Sequence, residues 1–171
     1  MGRSTFDERK EEILEAAITV FSRDGYHRVT TADISAEVGI SQPYIYRFFK
    51  SKEELFLAAV DRVYGRIAAA FHSVPSGADF ERRLIAEYET LMITHPREIV
   101  LQVQTWGIQE ETLRCRVAAA LTGLVDEVEV AFAREQIADP RTKAEDFLAR
   151  GVLCNLAHSL GAPNLYRSRG G

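Results

Sequence analysis

An all-α fold is predicted for this chain, with an amino-terminal three-helix domain containing a helix-turn-helix and a longer helical body behind it. Three observations carry the prediction. Apolar residues recur three and four apart along most of the 171 residues, and no stretch keeps the strict alternation of a strand. Hydroxyl residues stand three positions ahead of acids, at Thr30 with Asp33 and at Ser51 with Glu54, the spacing of a capping box. Glycine and proline then interrupt the pattern at Gly25, Gly39, Pro96, Pro140 and Gly161, where helices end or begin.

The first helix is expected from about Asp7 to Arg23. Ile13, Ala16, Ala17, Val20 and Phe21 form one apolar stripe. Asp7, Glu8, Glu11 and Glu12 crowd its first turns, which suits the helix dipole. Gly25 ends it, and Tyr26 plugs a small core. Thr30 caps a second helix, on which Ile34 and Val38 share one buried face at i and i+4. Gly39 supplies the left-handed conformation that stops this helix, and Ile40 packs back into the turn.

Ser41 is expected to cap the third helix, with Pro43 tolerated in a first turn whose N–H groups lack partners. This helix is read from about Gln42 to Phe49. Ile45, Phe48 and Phe49 lie on its inner side, and Gln42, Tyr44 and Arg47 on the other, with Tyr46 near one edge. Two short helices joined by a glycine turn, the second with a polar outer face, make a unit built to enter a major groove. Glutamine can bond adenine at two edges, arginine can bond guanine O6 and N7, and an exposed tyrosine can meet a phosphate or a thymine methyl. Ser51 opens a fourth helix with Glu54 completing its box. Lys52 then sits at a helix N-terminus, where backbone N–H groups and an ammonium together favour phosphate.

The fourth helix is expected from Ser51 to about His72, a rod of roughly 30 Å. Leu55, Ala59, Arg62 and Val63 begin one of its faces, and Phe56, Val60 and Ile67 another, so it is read as touching both head and body and serving as the lever between them. Residues 74–79, VPSGAD, form a loop. Further helices are expected over Phe80 to Thr94, Arg97 to about Gln109, about Glu111 to Gln136, and Thr142 to Leu160, with NLYRSRGG a loose tail. The division falls near residue 50, giving a DNA-binding unit over 1–50 and a regulatory unit over 51–171.

Order and spacing in the first third resemble the tetracycline-repressor (TetR) family of bacterial transcription regulators, closely over roughly Phe6 to Leu57. The matching pieces are ILEAAITVFSRDGY, TTADISAEVG, ISQPYIYRFF and KSKEEL. The resemblance implies a ligand-responsive regulator, most simply a repressor, that binds a palindromic operator in double-stranded DNA as a homodimer and is released by a small-molecule effector. It places Thr30 and Thr31 near phosphates and Ser41, Gln42, Pro43, Tyr44 and Arg47 in the recognition segment. It makes Tyr46 and Lys52 phosphate contacts. One departure stands at Ala32, where many members carry a side chain able to touch a base.

The last two long helices have wide apolar faces, including Val117, Leu121, Leu124, Val125, Val128 and Phe132 on the first and Phe147, Val152, Cys154, Asn155 and Leu156 on the second. A helix apolar on most sides needs partners on most sides, so a twofold dimer through about 111–136 and 142–160 is expected, with Gly151 and Ala157 allowing close approach. The resemblance also implies a pocket enclosed by the fourth to seventh helices. Its expected lining is Tyr64, Phe71, Tyr88, Met92, Gln102, Trp106 and Ile108, which suits an aromatic or lipophilic molecule and offers few polar groups.

Charge excludes a nonspecific basic binder. Residues 1–52 carry eight basic and eight acidic residues, and the whole chain is −4. The DNA signal is local: Arg3, Arg28, Arg47, Lys50 and Lys52 are expected on one face, with the acids of the first helix elsewhere and tight binding dependent on a dimer. Residues before Phe6 are read as a frayed end. There is no apolar run of membrane-spanning length, no secretory signal in MGRSTFDERK, and only two cysteines far apart, which together point to the cytoplasm. No cofactor is expected. Cys154 and His158 are half of a metal site without a completing pair, so no metal is expected, and no nucleophile motif or phosphate loop occurs. Two other readings remain at this stage: a small helical enzyme using His72, His95 and Glu87 in the central pocket, and a helical interaction module.

Overall fold

The structure, a computed structural model, describes residues 2–165, with side chains from Phe6 onward. The described residues form eight helices and no strand: α1 (Gly2–Asp24), α2 (Thr31–Val38), α3 (Gln42–Ile45), α4 (Lys52–Ser73), α5 (Phe80–Thr94), α6 (Pro96–Thr105), α7 (Glu111–Arg134) and α8 (Pro140–Ser159). The side chain of Arg3 and the tail beyond Leu165 lie outside the described residues.

α1 begins earlier than the sequence suggests. Phe6 continues its stripe one heptad before Ile13, and the Phe6 ring stacks on Phe48 at 4.5 Å. α1 ends at Gly25, φ 78°, whose N–H bonds the Phe21 carbonyl at 2.8 Å. Leu14 and Ile18 are buried beside the expected stripe. α1 packs against α6 as well as α2 and α4, so more than one stripe of it is covered.

α2 has its expected box: Asp33 N–H donates to Thr30 Oγ1 at 3.3 Å, and Thr30 N–H donates to the Asp33 carboxylate at 2.8 Å. Hydrogen bonds from the Thr30 hydroxyl, at 2.7 Å, and from its N–H hold the Asp33 carboxyl below its ordinary range. Gly39 closes the helix at φ 76°, and Ile40 N–H returns to the Ser35 carbonyl at 3.0 Å. α3 is shorter than expected. Only Gln42–Ile45 is α-helical, and the chain continues in tighter turns that bring Phe48 N–H to the Ile45 carbonyl at 2.9 Å. Burying Ile45 and Phe49 on one side is enough to seat this single turn.

The box expected at Ser51 is half made. Glu54 N–H donates to Ser51 Oγ at 3.0 Å, but the Glu54 carboxylate reaches the Lys50 N–H at 2.7 Å instead of that of Ser51. From there α4 runs for 22 residues. Near its start Phe56 meets Phe21 at 4.8 Å and Tyr26 at 4.7 Å, and near its end Phe71 meets Phe147 at 5.5 Å and Tyr88 at 6.0 Å. One rod is therefore anchored by aromatic packing at both ends.

α6 stops at Thr105, short of the expected Gln109, because Trp106 and Gly107 turn the chain toward α7. α8 starts two residues early: Asp139 takes a left-handed conformation, φ 52°, and Pro140 occupies the first helical turn. The buried apolar residues form one continuous cluster from Ile13 on α1 to Phe147 on α8. The expected division near residue 50 is thus not a gap in the core.

Charged groups tie α1, α4 and α6 together. Arg62 pairs with Glu11, and Arg66 lies 2.8 Å from Glu15 and 3.3 Å from Glu98. Glu98 is only 4% exposed, and its Oε1 faces Arg66 without hydrogen-bond alignment. Burial pushes its carboxyl up to about 7, against the pull of Arg66. Arg97 donates to Thr19 Oγ1 at 3.2 Å, and Gln104 to the Ser22 carbonyl at 2.8 Å.

Candidate nucleic-acid interface and interior pocket

The recognition segment is presented outward by what lies beneath it. Ile45 and Phe49 are buried, while Ser41, Gln42, Pro43, Tyr46 and Arg47 are exposed. Thr31 is the residue that organises them. Its hydroxyl, 6% exposed, accepts from Gln42 Nε2 at 2.7 Å and lies 3.1 Å from Tyr46 Oη. Spacing on α2 alone could place Thr31 in the first turn but could not show that two residues of the next helix converge on it.

Tyr44 is half-buried, edge-on to Phe48 at 5.4 Å, and the Arg47 guanidinium lies 5.2 Å from the Tyr44 ring. Such packing restrains the Arg47 guanidinium. Ser41 occupies the N-cap position with extended backbone but makes no side-chain cap bond, contrary to expectation. Instead its carbonyl receives the Tyr44 N–H at 2.9 Å, leaving the hydroxyl on the exposed surface. Lys52 stands in the first turn of α4, where its ammonium donates to the Tyr26 carbonyl at 3.0 Å and lies over the Tyr26 ring at 4.4 Å. This anchor pins the ammonium beside the helix N-terminus. Ala32 is exposed and offers only a methyl group.

Three acids of α1 are held by arginines. Glu11 and Glu15 pair with arginines of α4, and Glu12 with Arg9. A formally neutral head thus keeps Arg47 and Lys50 exposed beside the recognition turn.

An interior cavity of ≈ 50 Å³ lies within the body. Of the expected residues, Phe71, Tyr88, Met92, Gln102 and Trp106 line it. Tyr64 does not: its Oη accepts from Trp106 Nε1 at 3.3 Å, which places it behind the wall. Ile108 is buried past the end of α6, away from the cavity, because α6 stops early. The enclosing set also needs α8, which supplies Phe147, Gly151 and Asn155. Those residues sit on the same face the sequence assigned to a partner subunit. A Cβ on Gly151 would meet Tyr88 at 3.9 Å, and Ala157 is 7% exposed, so both face inward and neither provides close approach to a second copy.

The wall is more polar than expected. Tyr88 Oη donates to Asn155 Oδ1 at 2.9 Å, Asn155 Nδ2 donates to Gln102 Oε1 at 3.3 Å, and Gln102 Nε2 donates to the Glu98 carbonyl at 3.5 Å. Burial pushes the Tyr88 phenol up to about 12, so it stays a neutral donor. None of His72, His95 and Glu87, the titratable set an enzyme reading required, lines this cavity. Among the described residues no group of three His, Cys, Asp or Glu could hold a metal ion, and no helix is long and apolar enough to cross a membrane.

Residues 13–59 match the family model described as bacterial regulatory proteins, tetR family. The chain is 26% identical over 160 residues to the nucleoid occlusion factor SlmA of Glaesserella parasuis, covering 91% of this chain and 80% of that protein. A shorter stretch of 84 residues is 36% identical to the transcriptional activator FasR of Mycolicibacterium smegmatis, covering 48% of this chain and 38% of that protein. The fold matches the regulator FadR of Bacillus subtilis, solved in complex with stearoyl-CoA, with a TM-score of 0.71 at 16% identity over 90% of this chain and 87% of that one. A capped helix, a left-handed glycine turn, an outward recognition segment and a helical body of matching architecture lead to one assignment: residues 13–59 form a tetR-family segment, and the chain is a DNA-binding transcriptional regulator.

Proposed function

We propose that this regulator is a cytoplasmic repressor that binds a palindromic operator as a homodimer and leaves it when a small molecule enters the interior cavity. One observation carries the reading: an exposed ridge of Gln42, Tyr46 and Arg47 is joined through α4 to a cavity whose wall includes Phe71 of the same helix. In this reading Gln42, Pro43, Tyr44 and Arg47 face bases, and Thr30, Ser41, Tyr46 and Lys52 face phosphates. Thr31 acts by positioning Gln42 and Tyr46. Residues 1–50 provide the DNA-binding unit and 51–171 the regulatory one.

Dimerisation uses the outward stripes of α7 and α8. Val125 is half-buried, while Leu153 and Leu160 are 37% and 70% exposed, more apolar surface than a lone helix pair keeps in water. An effector shifts the equilibrium only by binding the DNA-free arrangement more tightly. α4, gripped at both ends, then alters the separation of the two recognition segments, which must be about 34–36 Å or a multiple of it to enter successive major grooves.

Selection of bound DNA from random oligonucleotides, followed by footprinting, tests the reading. A twofold-symmetric site is expected, protected by a species of dimer mass in light scattering. A monomer at micromolar concentration that protects an asymmetric site would refute the homodimer.

A further inference from the structure

The polar wall of the cavity constrains what can bind there, given the reading of that cavity as the effector site. The row Tyr88–Asn155–Gln102 runs in one direction only. The Glu98 carbonyl can only accept, so Gln102 turns its NH2 toward it and its Oε1 toward Asn155. Asn155 must then give its NH2 to Gln102 and its Oδ1 to the Tyr88 hydroxyl. Each carboxamide has two N–H hydrogens and spends one of them in this row. Asn155 therefore keeps one donor, Gln102 keeps one that it shares with the neighbouring Tyr88 oxygen, and both line the cavity while being only 2% and 4% exposed.

A buried spare donor calls for an acceptor. It does not call for an anion, because no cationic head faces the interior. Arg150 lies at the cavity's edge, exposed and 3.3 Å from Glu81. Taking a carboxylate or an ammonium out of water without a partner costs far more than two neutral hydrogen bonds return. Glu89, like Arg150, is exposed at the edge and keeps its charge in water, and the rest of the wall is mainly apolar, including Phe71, Phe147 and Leu124.

The cavity alone holds only a few waters. It shares Glu89, Met92 and Cys154 with an open groove of ≈ 610 Å³ on its far side, lined also by Ile93, Pro96 and Ala157. Met92 is unbranched and half-buried, so its side chain is the partition that can move at least cost. We propose that this site selects a compact, neutral, mainly apolar molecule with one carbonyl-type acceptor, which enters past Met92 and docks on the spare N–H groups of Asn155 and Gln102.

Four probes of similar size separate the alternatives: acetophenone, ethylbenzene, benzoate and benzylammonium, titrated into the full chain and followed by NMR. Acetophenone is expected to bind about tenfold or more tighter than each of the others, the worth of about one buried hydrogen bond. In Asn155→Leu, and independently in Gln102→Met, the preference for acetophenone over ethylbenzene is expected to fall several-fold. Circular dichroism shows which variants are folded. Equal or tighter binding of benzoate or benzylammonium, no binding of acetophenone to the wild type, or an unchanged preference in a folded variant overturns the proposal. Binding is read without DNA, so failure here is distinct from failure of operator recognition, which the unliganded protein tests.

Discussion

In the proposed reading, Arg47 and Lys52 separate the two ways a side chain serves DNA binding. Arg47 is exposed on the recognition turn, with its guanidinium 5.2 Å from the Tyr44 ring. Lys52 is pinned to the Tyr26 carbonyl at the start of α4. Arg47→Ala is therefore expected to relax preference at one base pair, at a cost of about 1–3 kcal/mol, measured by competition between operators differing at single positions. Lys52→Ala should weaken binding to all sequences alike and reduce the dependence of log affinity on log salt by about one, read from a salt titration. Arg47→Ala with unchanged affinity and base preference would misplace the groove-facing side.

At the scale of elements, the helix-turn-helix depends on its turn. Gly39 sits at φ 76°, and space is open where a Cβ would stand, so conformation alone disfavours other residues. Gly39→Ala is expected to destabilise the fold by about 1–2 kcal/mol, the left-handed penalty for an L-residue, visible as a lower denaturant midpoint at an unchanged slope. This element was legible from sequence because capping and turn chemistry are local: Thr30, Asp33 and Gly39 do what their order predicts. The length of α3 was not legible. Apolar spacing through Phe48 and Phe49 looks the same whether the backbone is α-helical or tightens after one turn, and only packing on α1 and α2 decides between them.

Across the whole molecule, the joint of α1, α4 and α6 buries a carboxyl that prefers to be neutral. Glu98 faces Arg66 and Arg62 from α4 and Glu15 from α1, and its carboxyl is raised from 4.5 to about 7, chiefly by burial. A group raised on folding gives stability that is full below about 4.5 and lost as pH rises through about 7. His95, at the start of α6, is lowered by burial first and by Arg66 next, so its contribution has the opposite slope at the acidic end. The difference between wild type and Glu98→Gln isolates the carboxyl, since Glu15 still holds Arg66 at 2.8 Å. Relative to the variant, wild-type stability is expected to fall between about pH 5 and 7.5, followed by chemical denaturation across that range. Parallel pH profiles would show that Glu98 is ionised throughout.

The helices, their caps and turns, and the polar side of the recognition segment follow from residues within a few positions of one another, so order along the chain was enough to place them. Long-range arrangement decided the rest. Asn155 read as part of an apolar dimer face until α8 turned it toward Tyr88 and Gln102, 67 and 53 residues away. Gly151 and Ala157 likewise face inward, and Thr31 gained its role only when α3 brought Gln42 and Tyr46 to its hydroxyl. Helical periodicity shows which residues share a face, but which neighbour covers that face depends on how separate helices pack.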